Sequence, residues 1–484
     1  MPSLLDLSNE TLYVIIQNIH PHDILNFSLC RKEIHLLTKE TLKEVKTWKQ
    51  AYTHVVLHGC HRHQENSHPL RLIRDIYMDW RIGEFPKSLK VECCNFDENE
   101  SGNEGDNEDD DKENEAEKME DEITIQTIMQ EVESYTKDRA ATSGYLPSSE
   151  LAGLCGSIKE GCRAAMIGLL LLFLPNLESI SLLDYTWNAS SLGEMVSTIA
   201  DQDLRRRPPR SNGLSKLSQI EILGSRENPG GEDFWFLMQF AALPSMRTLL
   251  GKYVEALDGD DSMIWPFGLR VSGVTEITLQ HSAVGISSLT QIFSGIHALK
   301  RFTYSHSRLF SDNSSMKAHK IIGALLEHAR DSLEYLALTG DCSIRDSDED
   351  DHYNKGSLQG FRVLKEAFLH SAIYVDQVPY DGSSLNPDEG IYGDRYQDAI
   401  RAFVDVLPGS IETVQFIGGD VVRHLDGLLA NLWDQKHLRL SKLNKIVILA
   451  HHRYAKRAWV KPLTQLCDNI GVTLEVRWDE LVAQ

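Results

Sequence analysis

Residues 169–187, LLLLFLPNLESISLLDYTW, set an apolar run directly before a segment of alternating side chains. Leu177-Ile180-Leu182 has the form L-x-x-L-x-L, whose last two apolar places fall on one face of a strand. The unit recurs as Leu217-Ile220-Ile222, Val274-Ile277-Leu279, Leu299-Phe302-Tyr304 and Leu333-Leu336-Leu338. It returns as Leu364-Ala367-Leu369, Ile411-Val414-Phe416 and Leu443-Ile446-Ile448. Met246-Leu249 is a weaker copy, because Gly251 takes its third place, and Leu474 and Val476 supply the last strand. Most spacings are about 25 to 34 residues, which accommodates a strand, a turn, a helix and a return. Helical patterns fill the intervals at Ala164–Leu172, Leu289–Ile296, Ile321–His328, Ala399–Leu407 and Val421–Leu432. The fold class expected is therefore α/β, with residues 123–484 forming a right-handed solenoid on a curved parallel sheet. Arg205–Asn212 (RRRPPRSN) and Ser343–Gly356 read as loop insertions, the first also carrying the composition of a nuclear-import signal.

The N-terminal stretch from Leu4 to Leu37 has a different period. Leu12, Ile15, Ile16 and Ile19 form one stripe on a helix that Ser8 or Asn9 can cap and Pro21 ends. A second short helix carries Asp23, Ile24, Phe27 and Leu29, and a third runs through Ile34, Leu37, Thr38, Leu42 and Val45. Helices this short cannot bury all of this surface among themselves, so part of it must meet the rest of the chain or a partner. The spacing resembles the F-box, with Leu7, Glu10, Leu12, Ile15, Ile19, Asp23, Ile24, Phe27, Leu29 and Lys32 at or near the matching places. Ser8 stands where the family has proline, and Arg31 where it has cysteine. The resemblance implies docking on a Skp-type adaptor, and through it on a cullin scaffold. The residues it assigns to adaptor binding are Leu7, Leu12, Ile15, Ile16, Ile24, Leu25 and Phe27.

The repeat half resembles irregular leucine-rich repeats. Its apolar helix feeding L-P-N-L-E, together with residues 71–92 (RLIRDIYMDWRIGEFPKSLKVE), is similar to fungal F-box/leucine-rich-repeat proteins. The organisation expected is an F-box-like helical domain at 1–58 and a helical linker with a solenoid entry strand at 59–96. An acidic insertion at 97–122 and the solenoid at 123–484 complete it. The resemblance implies a non-catalytic substrate receptor of an SCF-type (Skp-cullin-F-box) ubiquitin ligase, the solenoid holding an unknown protein target. The alternative is a leucine-rich-repeat interaction scaffold not attached to a ligase.

Composition excludes several other classes. The chain has 484 residues, 42% of them apolar, and a net charge of −22, which argues against a general binder of nucleic acid or anionic membranes. Much of that charge lies in Asp97–Glu122, too acidic and too poor in aromatics to build a core. The eight cysteines include no C-x-x-C pair, as expected of a reduced intracellular chain. MPSLLDLSNE lacks the features of a signal peptide, and the apolar run Ala164–Leu174 is short for a membrane helix. A cytoplasmic or nuclear location, or both, is expected.

No catalytic residue, metal ligand or cofactor is assigned. G-x-S-x-G, Walker-type, H-E-x-x-H and strand-linked G-x-G-x-x-G signatures are missing from the sequence. His54, His58, Cys60, His61, His63 and His68 lack the spacing of an established zinc finger. Asp346–Asp351 lacks the glycine and spaced ligands of a calcium loop.

In each repeat, the residues flanking the second apolar place should point to the open sheet face. These are Ser179 and Ser181, Gln219 and Glu221, Glu276 and Thr278, Arg301 and Thr303, Tyr335 and Ala337, then Glu366 and Phe368. Arg301, Tyr335, Phe368 and, just beyond, His370 are the target-binding residues expected from this rule, with the two aromatic rings touching diagonally. The opposing expectation is that an inserted loop such as Asp376–Gly393 covers them.

Overall fold

The computed structural model describes residues 7–58, 68–92, 148–159, 162–183, 190–205, 214–224, 233–256, 265, 268–307, 316–340, 357–370, 404–417, 432–451 and 460–479. It has two compact units, Met1–Leu223 with Leu243–Ser245, and Gly224–Ala242 with Met246–Gln484. The acidic tract, Cys60, His61, His63, Ser343–Gly356 and Asp376–Gly393 lie outside the described residues.

The first unit opens with three helices. The Ser8 hydroxyl accepts from the Thr11 amide and caps α1 (Asn9–Asn18). Pro21 both follows that helix and occupies the first turn of α2 (Pro21–Ser28), where a missing amide hydrogen costs nothing. Leu29 sits at the helix C-cap rather than on the helical stripe. The third helix, α3 (Lys32–Tyr52), continues well past Val45 and stops before a strand.

That strand, β1 (His54–His58), corrects the helical reading of the 1–58 domain at its end, while residues 46–52 are helical as expected. Val55 and Leu57 are buried and Val56 is 45% exposed, a period-2 pattern five residues long that the preceding amphipathic helix obscures in sequence. The boundary at residue 58 therefore falls at the end of a sheet strand, and the first strand precedes the segment expected to supply it. Then come α4 (Pro69–Met78), capped by His68, a 3-10 turn (Trp80–Glu84) and β2 (Ser88–Glu92). Leu89 and Val91 point inward there, as expected. After α5 (Ser148–Lys159) and the apolar α6 (Arg163–Leu172) come β3 (Ser179–Leu183), α7 (Ser190–Arg205) and β4 (Gln219–Leu223). The strands β1, β2, β3 and β4 pair in parallel and in chain order, with Leu89 opposite Ile180 and Ile180 opposite Ile220.

The second unit continues the plan with α8 (Asp233–Ala241), β5 (Thr248–Lys252), the two-residue β6 (Glu255–Ala256) and β7 (Glu276–Val284). Next are α9 (Ile286–Gly295), β8 (Arg301–His306), α10 (Ala318–Ala329), β9 (Tyr335–Gly340), β10 (Glu366–His370) and β11 (Thr413–Ile417). It closes with α11 (Leu432–Leu438), β12 (Lys445–His451), α12 (Val460–Asn469) and β13 (Thr473–Asp479). Apart from β6, which pairs with β7, the strands again lie parallel in chain order. Every L-x-x-L-x-L unit thus supplies a strand. The weak copy does too, and its third place is glycine because an added Cβ on Gly251 would stand 2.9 Å from the Leu279 and Val254 side chains.

A shared device sets the register. The Lys87 carbonyl accepts the amides of both Glu178 and Ser179, and the Glu178 carbonyl accepts those of Ser218 and Gln219. The same doubled bond links Arg247, Thr275, Lys300, Glu334, Lys365 and Glu412, each to the start of the next strand. One carbonyl with two lone pairs satisfies two orphan amides, so strand entries align repeat after repeat.

Candidate functional sites

On the helical module, the amphipathic stripes divide into a core and a surface. Leu12 (5% exposed), Ile16 (1%), Ile24 (0%) and Ile34 (2%) are consumed by the chain's own packing. Leu7, Tyr13, Val14, Leu25, Leu29 and Leu36 remain exposed, and Ile15 and Phe27 are half-buried. Of the seven residues expected to meet an adaptor, Leu7 and Leu25 are thus open to a partner and Ile15 and Phe27 partly so. Leu12, Ile16 and Ile24 hold the module together. Tyr13, Val14 and Leu36 belong to the exposed set although the family pattern does not mark them. Exposed large apolar side chains therefore lie on all three helices, Tyr13 and Val14 on α1, Leu25 on α2 and Leu36 on α3.

The module is anchored to its own unit. The Arg81 guanidinium lies 4.9 Å from the centre of the Trp48 ring and pairs with Asp79, while the Tyr52 hydroxyl donates to Asp75 at 3.0 Å. Burial, then that bond, pushes the Tyr52 phenol up to about 12. At α1, the Ser8 hydroxyl bond followed by a backbone bond holds the Glu10 carboxyl below its ordinary range, where an acid at a helix N-terminus is favourable.

The second candidate is the open sheet face of the second unit. Arg301 and Tyr335 are register partners on β8 and β9, and the guanidinium carbon stands 4.1 Å from the ring centre. Arg301 also lies 3.8 Å from Glu276 on β7. Burial raises the Tyr335 phenol and the adjacent Arg301 charge partly offsets this. Tyr335 is opposite Glu366, whereas Phe368 is opposite Ala337 and Gln415.

The expected Tyr335–Phe368 ring contact is not formed among the described residues. Phe368 lies two residues further along and one strand over, about 8 Å by strand geometry, and Arg301 holds Tyr335 toward the opposite neighbour. His370 ends β10 opposite Ile417 and is half-buried. The open-face rule fails at Ala337, which is 1% exposed: a methyl does not rise above Thr303 and Phe368 beside it. Further along, Glu475 bonds Arg477 at 2.7 Å and Lys445 at 2.8 Å, and these bonds lower its carboxyl to about 2.

Among the described residues no group of His, Cys, Asp and Glu could hold a metal ion. His54 bonds Ser88 at 2.7 Å and His58 pairs with Glu92 at 3.0 Å. No helix among the described residues is long and apolar enough to cross a membrane. No protein-family model matches the chain, and no curated protein matches it.

Proposed function

We propose that this chain is a substrate receptor of an SCF-type ubiquitin ligase, its helical module binding a Skp-type adaptor and its leucine-rich, solenoid-type repeats binding a target protein. The observation that carries this reading is the apolar surface left open on the module by Leu7, Tyr13, Val14, Leu25, Leu29 and Leu36 after its core is filled. The parallel strand and helix units suit a repeat that works through its surface rather than by catalysis. On the open face, Arg301 over Tyr335, with Phe368 and His370 on the strand beyond Tyr335, is the composition of a binding hot spot. A receptor of this kind acts by raising the local concentration of target lysines near the ubiquitin-carrying enzyme.

Coexpression with a Skp-type adaptor tests the reading. Wild-type chain should copurify with the adaptor. Leu25→Asp with Leu29→Asp, both at exposed positions, should stay folded and lose the adaptor, since a desolvated unpaired carboxylate costs about 3–5 kcal/mol. Adaptor recovery unchanged in the folded double variant would leave an interaction scaffold without a ligase.

A further inference from the structure

Given the receptor reading, in which a target meets the open sheet face of the second unit, we propose that Glu366 and Phe368 form a seat there for one arginine side chain of that target. The seat lies on a two-by-two patch of register positions on β9 and β10, with Tyr335 opposite Glu366 and Ala337 opposite Phe368. Burial alternates along β10, so Glu366 and Phe368 face outward together, about 6.6 Å apart by strand rise. Glu366 is exposed and Phe368 half-buried. Tyr335, held by Arg301, walls the patch on the β9 side, and Ala337 contributes only a methyl between the two rings.

The cations around this patch are already engaged. Arg301 is taken up by the Tyr335 ring at 4.1 Å and by Glu276 at 3.8 Å. Lys365 bonds Glu334 at 2.6 Å and feels Glu366 only through space. Lys445 and Arg477, further across the sheet, both bond Glu475. The Glu366 carboxylate makes no hydrogen bond or ion pair among the described residues. One exposed carboxylate beside an aromatic ring is therefore left uncompensated.

The same face completes such a set once. Glu276, Arg301 and Tyr335 are register neighbours on β7, β8 and β9: a carboxylate, a guanidinium and a ring. Glu366 and Phe368 offer a second carboxylate and ring, and among the described residues no guanidinium joins them. A guanidinium is planar, weakly hydrated and forked, so it can pair with Glu366 while its face lies on Phe368. An ammonium would gain the charge but has no face to stack.

Selection of short randomised peptides on the immobilised full chain tests the seat. Wild type should enrich arginine at one position, about ten-fold over neutral residues and about three-fold over lysine. Glu366→Gln should remove the arginine enrichment, and Phe368→Leu should erase the preference over lysine. Glu327→Gln removes an equal charge from an exposed position of α10 and should change neither. If Phe368→Leu does not fold, Glu366→Gln, at an exposed position, still decides. The seat is overturned by equal enrichment of arginine and lysine in wild type, by arginine enrichment that survives Glu366→Gln or disappears with Glu327→Gln, or by no arginine enrichment at all. Adaptor copurification is a separate readout. Arginine selection by a chain that binds no adaptor upholds the seat and removes the ligase, whereas adaptor binding without arginine selection does the reverse.

Discussion

The guanidinium carbon of Arg301 lies over the ring of its register partner Tyr335, 4.1 Å from the ring centre, on the open face of two neighbouring parallel strands. The stack pre-orders both side chains, so a partner meets a formed surface and loses less conformational entropy on binding. Tyr335→Ala with Phe368→Ala should weaken target binding by at least about 2 kcal/mol, roughly thirty-fold, while leaving adaptor binding unchanged. Quantitative partner recovery, with thermal unfolding as the folding control, measures this.

Ile16 and Leu25 should separate folding from docking. Ile16→Ala empties a site that is 1% exposed and should cost about 2–5 kcal/mol, so helical signal from the module melts earlier. Leu25→Ala, at 57% exposed, should leave the melting curve within about 0.5 kcal/mol of wild type.

Gly340 cannot be replaced without strain. Its φ of +125° is nearly closed to other residues, and an added Cβ would meet the backbone of His306 on β8. Gly340→Ala should lower stability by at least about 2 kcal/mol, read as a shift of the denaturant midpoint.

The acidic tract should be dispensable for stability. Leu89 on β2 pairs directly with Ile180 on β3, so the intervening stretch does not set that register. Loop-closure cost changes by only about 0.6 kcal/mol per doubling of length. Replacing Glu98–Glu120 with a short Gly/Ser linker should move the melting temperature little; a drop of many degrees would mean that the tract packs on the unit.

The repeat strands were legible because each repeat places its apolar residues two apart beside a third at fixed distance, a pattern that only a half-buried strand produces repeatedly. HVVLH at β1 was not legible, since two inward residues after a 21-residue amphipathic helix carry too few alternations to signal a change of period. The phase of the repeats also foretold that Arg301 and Tyr335 would be neighbours. The expected lean of the tyrosine toward Phe368 was wrong, because its ring is set by the cation on the other neighbouring strand. On the helical module, periodicity identifies an apolar stripe but not its division. Leu12 and Leu25 look alike in sequence, yet the fold buries the first and leaves the second exposed.

Within each unit every strand of the main sheet hydrogen-bonds to its nearest neighbours along the chain, and the doubled carbonyl bonds tie each strand start to the one before. No strand must wait for a distant C-terminal segment before it finds its partner. During synthesis, a newly emerged repeat can therefore settle on the one already in place while later ones are still being translated. The growing edge is always a single strand, and that edge is the surface most in need of protection by chaperones until the next repeat arrives.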